Sequence, residues 1–190
     1  MTQSIAKPKT YTFEEYLAYD DGESNRYELV DGELVPMTPA NFKHSNIVNF
    51  LFKRFDREIE RLGLDWIARQ GDVGIRTGTR KSRLPDVCVI AGEKWRSLPA
   101  DAPAILPDPP RLVVEVVSES TATADYRHKR SEYAAVEIPE YWIVDTLNAK
   151  VSVLLLVEGF YEVTEFTGSQ RIVSPTFPEI ELTSEQVLSA

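Results

Sequence analysis

Two carboxylates stand where apolar strands leave little room for them. Glu115 lies inside LVVEVVSES, residues 112–120, between Val113–Val114 and Val116–Val117. That is the composition of a strand buried on both faces. An ionised side chain there gives up strongly favourable hydration unless a cation or hydrogen bonds replace it. Asp86 follows Pro85 and opens DVCVI, a second strand whose acid adjoins apolar residues. Neighbouring strands of this kind would set the two acids side by side, where they repel unless a divalent cation lies between them. Oxygen ligands of this sort suit magnesium, calcium or manganese. A lysine within reach would complete a set able to cleave a phosphodiester. The metal would activate water, and the ammonium would stabilise negative charge building on the phosphate.

Each of these residues also has a plainer reading. Asp86 after Pro85 could cap a turn, and Glu115 could pair with a structural arginine. Lys129 alone reads as a solvated helix lysine. His44 suits a helix cap or a structural histidine as well as a catalytic one, and Glu28 reads as a surface acid. The basic run Arg76, Arg80, Lys81 and Arg83 is the composition of a solvated loop. Directly before Asp86, it could also hold a nucleic-acid backbone.

The elements that must position these groups follow from local pattern. Thr12-Phe13-Glu14-Glu15 predicts a capping box opening a short helix through about Tyr19. RYELVDGELVPM, residues 26–37, predicts a hairpin around Asp31-Gly32. Ile47, Val48, Leu51, Phe52, Phe55, Ile59 and Leu62 recur at helical spacing within 42–62, and Gly63 follows as a stop. Trp66–Ile75 and Leu84–Ala91 read as two strands joined by the basic turn RTGTRKSR. Residues 97–110 hold five prolines and predict an irregular connector. After the valine strand, STATADYRHKRSEYAAV predicts a helix beginning near Thr123. Tyr126, Lys129 and Tyr133 share one face of it, which directs Lys129 inward if the tyrosines pack on the sheet. EYWIVD, residues 140–145, is a further buried strand, and Val151–Leu156 and Tyr161–Phe166 form a hairpin around Glu158-Gly159. This order implies a mixed sheet with helices on its faces, in the α/β or α+β region.

The chain has 190 residues, 43% of them hydrophobic, enough for one core. Residues 1–10 read as a flexible tail and 11–190 as a single domain. No apolar run approaches the roughly 20 residues of a membrane helix, and the start lacks the apolar stretch of a signal peptide. A single cysteine, Cys88, forbids an internal disulfide and suggests a cytoplasmic setting. Two histidines and one cysteine are too few for a convincing zinc site. The net charge of -9 argues against coating nucleic acid by charge alone. Residues 42–96, however, carry twelve bases against seven acids, a net of +5, between acidic flanks.

Six ordered segments give this chain a family likeness. YELVDGELVPM, His44, LPDVCVI, LVVEVVSES, Lys129 and EYWIVD together resemble the Uma-type family of the restriction-endonuclease-like PD-(D/E)XK superfamily, from about Thr12 to Val157. The resemblance implies a three-layer core with a central mixed β-sheet flanked by helices, with extra hairpins. It also implies a divalent cation, magnesium or manganese, and hydrolysis of DNA phosphodiester bonds by an endonuclease. Asp86 matches the family's first acid and Glu115 its second, with the Val116 carbonyl as a third metal ligand. The superfamily's usual lysine would stand at Val117. In the Uma-type family it lies on the next helix, where this chain has Lys129. Glu33 and His44 match further positions near the site. Cleaving both strands of DNA requires two scissile phosphates to be addressed, so a homodimer is expected, with Val151–Leu156 as its candidate contact. The rival reading is a catalytically silent nucleic-acid-binding or scaffold protein that keeps the nuclease fold. The acidic balance favours the rival, whereas the retained Asp86, Glu115 and Lys129 favour the enzyme.

Overall fold

Strand alternation divides the apolar residues between two opposed cores, and a six-stranded sheet separates them. The computed structural model describes residues 9–23 and 25–190. Of the expected tail, 1–10, only Lys9 and Thr10 fall within that range.

The chain opens with helix α1 (Phe13–Leu17), whose Thr12 and Glu15 form a reciprocal capping box. Strands β1 (Tyr27–Val30) and β2 (Glu33–Pro36) follow as a hairpin. Its two turn residues, Asp31 and Gly32, have φ of 50° and 89°, the left-handed pair that a tight hairpin turn requires. Helix α2 (Phe42–Leu62) is capped by the Asn41 side chain and ends at Gly63, whose φ is 62°. Then come β3 (Trp66–Gln70), β4 (Gly74–Gly78), β5 (Lys81–Arg83), β6 (Val87–Ala91), α3 (Gly92–Arg96), β7 (Ile105–Leu106) and β8 (Leu112–Val117). A π-helical stretch, Ala124–Lys129, runs directly into α4 (Arg130–Ala135). Strands β9 (Glu140–Asp145), β10 (Lys150–Val157) and β11 (Phe160–Thr167) and helix α5 (Ser184–Leu188) complete the chain.

The larger sheet has the order β11-β10-β9-β8-β6-β3, and the smaller one β2-β1-β5-β4-β7. Both are mixed: β8 runs parallel to β9 and antiparallel to β6, while β4 runs parallel to β7 and antiparallel to β5. On one face of the larger sheet Val87, Val89, Leu112, Val114 and Val116 pack with Ile47, Leu51 and Phe55 of α2. On the other, Cys88, Ile90, Val113 and Val117 pack with Tyr133 and Tyr141. The result is the expected three-layer core, with α2 on one side of the sheet and the π-helical stretch and α4 on the other. Because strand residues alternate faces, Glu115 belongs with Val113 and Val117 and must meet the layer that carries Lys129.

Three details differ from the sequence expectation. Residues 66–75 are not one strand: Gly71, with φ of 58°, breaks the run, and β3 and β4 join different sheets. The basic segment 76–83 is not a bare turn but the hairpin of β4 and β5, with an irregular register between Arg76 and Gly78. The proposed dimer contact, Val151–Leu156, is also corrected. Val151, Val153 and Leu154 are buried in the chain's own cores, so most of that run is not free to meet a partner.

The last twenty residues, which show little periodicity, cover the α2 side of the sheet. Phe177 stacks on Phe55 at 5.3 Å between ring centroids, and Phe55 meets Trp142 edge-on at 5.4 Å. Glu140, fully buried in β9, fastens this segment. It accepts hydrogen bonds from Trp142 Nε1 (2.6 Å), Ser174 Oγ (2.6 Å) and the Thr176 amide (2.8 Å). Glu140→Ala leaves buried donors without an acceptor, at about 1–3 kcal/mol for each group stranded. Its urea unfolding midpoint should fall to match a loss of about 2–4 kcal/mol. An unchanged midpoint would show that the segment does not depend on this carboxylate.

Candidate active site

The register of two antiparallel strands brings the candidate acids together. Val87 pairs with Val114 and Cys88 with Val113. Continuing the register one step sets Asp86, just before β6, opposite Glu115. Asp86 sits at the open end, its side chain 18% exposed beside a 20% exposed His44, whereas Glu115 and Lys129 lie behind it at 4% and 7%. Anything approaching from solvent therefore meets Asp86 and His44 first.

Asp86 is held from two directions. His44 Nε2 lies 2.9 Å from Oδ1, and the Val116 amide donates to Oδ2 at 2.7 Å. The long helix α2 delivers His44 in its first turn, where the Asn41 side chain accepts from the His44 amide at 2.9 Å. Burial disfavours the imidazolium, but the hydrogen bond and charge of Asp86 more than offset this, so His44 titrates above its ordinary value. The amide and carbonyl of a strand residue point toward the same neighbouring strand. The Val116 carbonyl is thus directed to the Asp86 side.

Glu115 accepts from Lys129 Nζ at 2.8 Å and from the Tyr133 hydroxyl at 2.6 Å. Lys129 Nζ also lies 3.1 Å from Asp125 Oδ1 and 3.7 Å from Glu28 Oε1. The Asp125 contact is an ion pair without hydrogen-bond alignment. Burial alone would depress the Lys129 ammonium; Glu115, Glu28 and Asp125 reverse that and raise it above the ordinary lysine range. Burial pushes the Glu115 carboxyl well above the usual carboxylate range, opposed by Lys129 and reinforced by Asp125, Asp86 and Glu28. Asp125 is raised by burial as well.

The local sequence explains this convergence. Asp125 and Tyr133 each lie four residues from Lys129, and all three project from one continuous helical run. The π-helical stretch widens its first turns, a device that recurs at functional sites. Tyr126, also expected on the inward face, is half-buried and donates to Asp145 Oδ2 at 2.6 Å. It anchors the run to the end of β9 rather than to the acids.

Two readings need correction. Glu28 is not a surface acid: it is buried, accepts from the Leu84 amide at 3.1 Å and pairs with Arg83 Nη1 at 2.8 Å. Arg83 is not available to a nucleic-acid backbone, because it is buried with its guanidinium occupied by Glu28 and by both oxygens of Glu132. The rest of the basic run is also engaged within the chain. Arg76 stacks on the Phe13 ring at 4.0 Å, Arg80 Nε donates to the Tyr11 carbonyl, and Lys81 pairs with Asp31 and Glu132. Glu33 is exposed on β2 and, among the described residues, bonds to none of the cluster.

Three contributors escaped the sequence reading: Glu28 and Asp125 at the ammonium, and Glu132 behind them. The Asp125–Lys129 spacing was a usable signal, since opposite charges four apart on a helix meet. Glu28 carried none, because its burial depends on a sheet assembled from distant strands.

The donors suit a hard divalent cation. Among the described residues no three His, Cys, Asp or Glu side chains form a ready-made metal shell. Magnesium, however, is typically held by only one or two carboxylates and keeps waters and substrate oxygens as its other ligands. Asp86 and Glu115 are two carboxylates on neighbouring strands of the kind such an ion uses. The excess of acids around one ammonium also supplies the negative charge such an ion would neutralise. Cys88 takes no part, because burial raises its thiol to about 12.

Comparison with known proteins agrees with this architecture. An uncharacterized protein of Synechocystis sp., sll1609, is 26% identical over 186 residues, covering 93% of this chain and 98% of the relative. The crystal structure of "a putative nuclease belonging to DUF820" from Anabaena variabilis superposes with a TM-score of 0.77 at 16% identity. It covers 94% of this chain and 97% of that one, so the two share a fold. No helix among the described residues is long and apolar enough to cross a membrane. The family model Uma2, described as "Putative restriction endonuclease", matches residues 13–185, and the chain accordingly belongs to the Uma2 family.

Proposed function

We propose that this protein is a divalent-metal-dependent endonuclease that hydrolyses DNA phosphodiester bonds, with residues 11–190 acting as one restriction-endonuclease-like domain in the cytoplasm. The observation that carries the reading is the Lys129 ammonium, 2.8 Å from a Glu115 carboxylate that faces Asp86 across two strands. Such a group of buried charges is costly as mere structure and is the arrangement phosphoryl chemistry requires.

Asp86, Glu115 and the Val116 carbonyl would hold magnesium or manganese. When bound, the ion supplies Lewis acidity that activates water and offsets phosphate charge. His44 fixes the Asp86 carboxylate and stands nearest to solvent. Lys129 remains charged throughout the working pH range, so its part is electrostatic rather than that of a base. Glu33, exposed and unbonded to the cluster, is left out of this machinery.

The proposed homodimer would use the outer hairpin instead of the buried stretch of β10. Val157 at the end of β10, and Phe160 and Val163 on the edge strand β11, are exposed there, Phe160 by 78%. Light scattering at micromolar concentration should give twice the 21.5 kDa chain mass, and a monomer would remove this part of the reading.

The decisive experiment is incubation of the purified protein with plasmid and single-stranded DNA across several divalent metals. Metal-dependent cleavage is expected, whereas binding without cleavage would favour a silent nucleic-acid-binding protein. In calorimetric titrations with magnesium, Asp86→Asn and Glu115→Gln should each weaken binding about tenfold or more. Without metal, Glu115→Gln should fold at least as stably as the parent, because it removes a buried acid from among three others. Unaltered metal affinity in both variants would sink the assignment.

Lys129→Ala should lower single-turnover cleavage by about two to four powers of ten, the usual scale for losing such a group. It should still bind metal. Lys129→Arg should rescue poorly, because a planar guanidinium does not fit a pocket shaped around an ammonium. Cleavage by folded Lys129→Ala at the parental rate would place the lysine outside the mechanism.

A further inference from the structure

The smaller sheet packs Ile75 and Leu106 into the core on the side of the helical run, and it also sends one side chain into the site. Glu28 reaches from β1 so that Oε1 faces the Lys129 ammonium at 3.7 Å and accepts from the Leu84 amide at 3.1 Å. Its other oxygen takes Arg83 Nη1 at 2.8 Å. Arg83 in turn grips Glu132 with Nε and Nη2 at 2.8 and 2.7 Å. Thr77 Oγ1 and Lys81 Nζ hold the same carboxylate at 2.9 and 3.4 Å. Lys129 and Glu132 are three residues apart on one helical run. The smaller sheet therefore grips that run twice, once by charge at Lys129 and once by hydrogen bonds at Glu132.

We infer that Glu28 is a positioning residue, which holds the Lys129 ammonium against Glu115 and, through the Leu84 amide, steadies the chain that presents Asp86. At 3.7 Å the Glu28–Lys129 contact is too long for a hydrogen bond; it acts as a charge on the third side of an ammonium already flanked by Glu115 and Asp125. Without that charge the ammonium is free to lean toward Asp125 and away from Glu115. Leu84 lies two residues before Asp86, with Pro85 restricting the chain between them. One carboxylate thus sets the position of both the cation and the outer acid. Its partner Arg83 sits in a buried ion pair whose geometry is fixed by a forked guanidinium. The smaller sheet becomes part of the site's machinery rather than an appendage.

The activity readout rests on the nuclease reading, so the test includes one that does not. Glu28→Gln preserves shape and an acceptor for the Leu84 amide while removing the charge. Its single-turnover cleavage should fall about ten- to a hundredfold, the scale for outer-shell partners, with DNA affinity and magnesium affinity unchanged. In a Lys129→Ala background the same substitution should cause no further loss. A purely structural role would give the same fold-loss in both backgrounds and would overturn the inference. In the metal-free protein, the nitrogen-15 resonance of the buried Lys129 ammonium should shift and its protons exchange faster in Glu28→Gln. An unmoved resonance would also overturn it. Should Glu28→Gln fail to fold, Glu28→Asp carries the same comparison, since it keeps the charge for Arg83 but draws it back from the ammonium. If the parent cleaves no DNA, the nuclease reading falls, and the ammonium resonance alone decides the role of Glu28.

Discussion

The ion pair between Glu115 and Lys129 is the constraint on which the site depends. A carboxylate in the middle of a buried strand is tolerable only beside a cation, and a cation in that layer is tolerable only beside carboxylates. The surroundings answer both needs. Tyr133 satisfies the remaining oxygen of Glu115, Asp125 and Glu28 flank the ammonium, and Arg83 prevents Glu28 from becoming a fourth uncompensated acid. The cluster ties together β8, the helical run after it and the smaller sheet, and Lys129 is shared by acids from all three.

This coupling explains which parts of the structure were legible in the sequence. Helix α2, the hairpin at Asp31-Gly32, the valine strand and EYWIVD follow from periodicity, caps and turn residues, all of which act within a few positions. The pairing of Asp86 with Glu115 was also legible, because two acids set among valines have few other places to go. The break at Gly71 was not, since a single left-handed glycine interrupts an otherwise uniform strand pattern. Nor was the exchange of roles between Glu28 and Arg83. As isolated residues both look solvent-facing; only the meeting of β1 with β5, more than fifty residues apart in the chain, makes them buried partners. Burial of a charged side chain is a property of the pair, and a local window sees one member at a time.

The same distinction bears on the charge distribution. The basic surplus of residues 42–96 suggested a surface for phosphates, yet its best-placed members turn inward. Arg83 neutralises acids in the core, Lys81 meets Asp31 and Glu132, and Arg76 and Arg69 lie on aromatic rings. These cations hold the fold together more than they advertise it.

The displaced lysine shows how different elements can deliver one electrostatic result. Position 117 lies two residues after Glu115 and so on the same strand face, and a lysine there would emerge beside the acid. This chain places Val117 there instead, buried in the core that faces Tyr133 and Tyr141. The ammonium descends from the overlying helical run and reaches the same carboxylate at 2.8 Å. The exchange has a structural consequence. A strand lysine is fixed by the sheet itself, whereas a lysine on a covering helix is only as well placed as that helix. The π-helical turn, the Tyr126–Asp145 bond and the Arg83–Glu132 clamp each restrain the run against the sheet. With the cation on a covering helix, the smaller sheet takes part in holding that helix still.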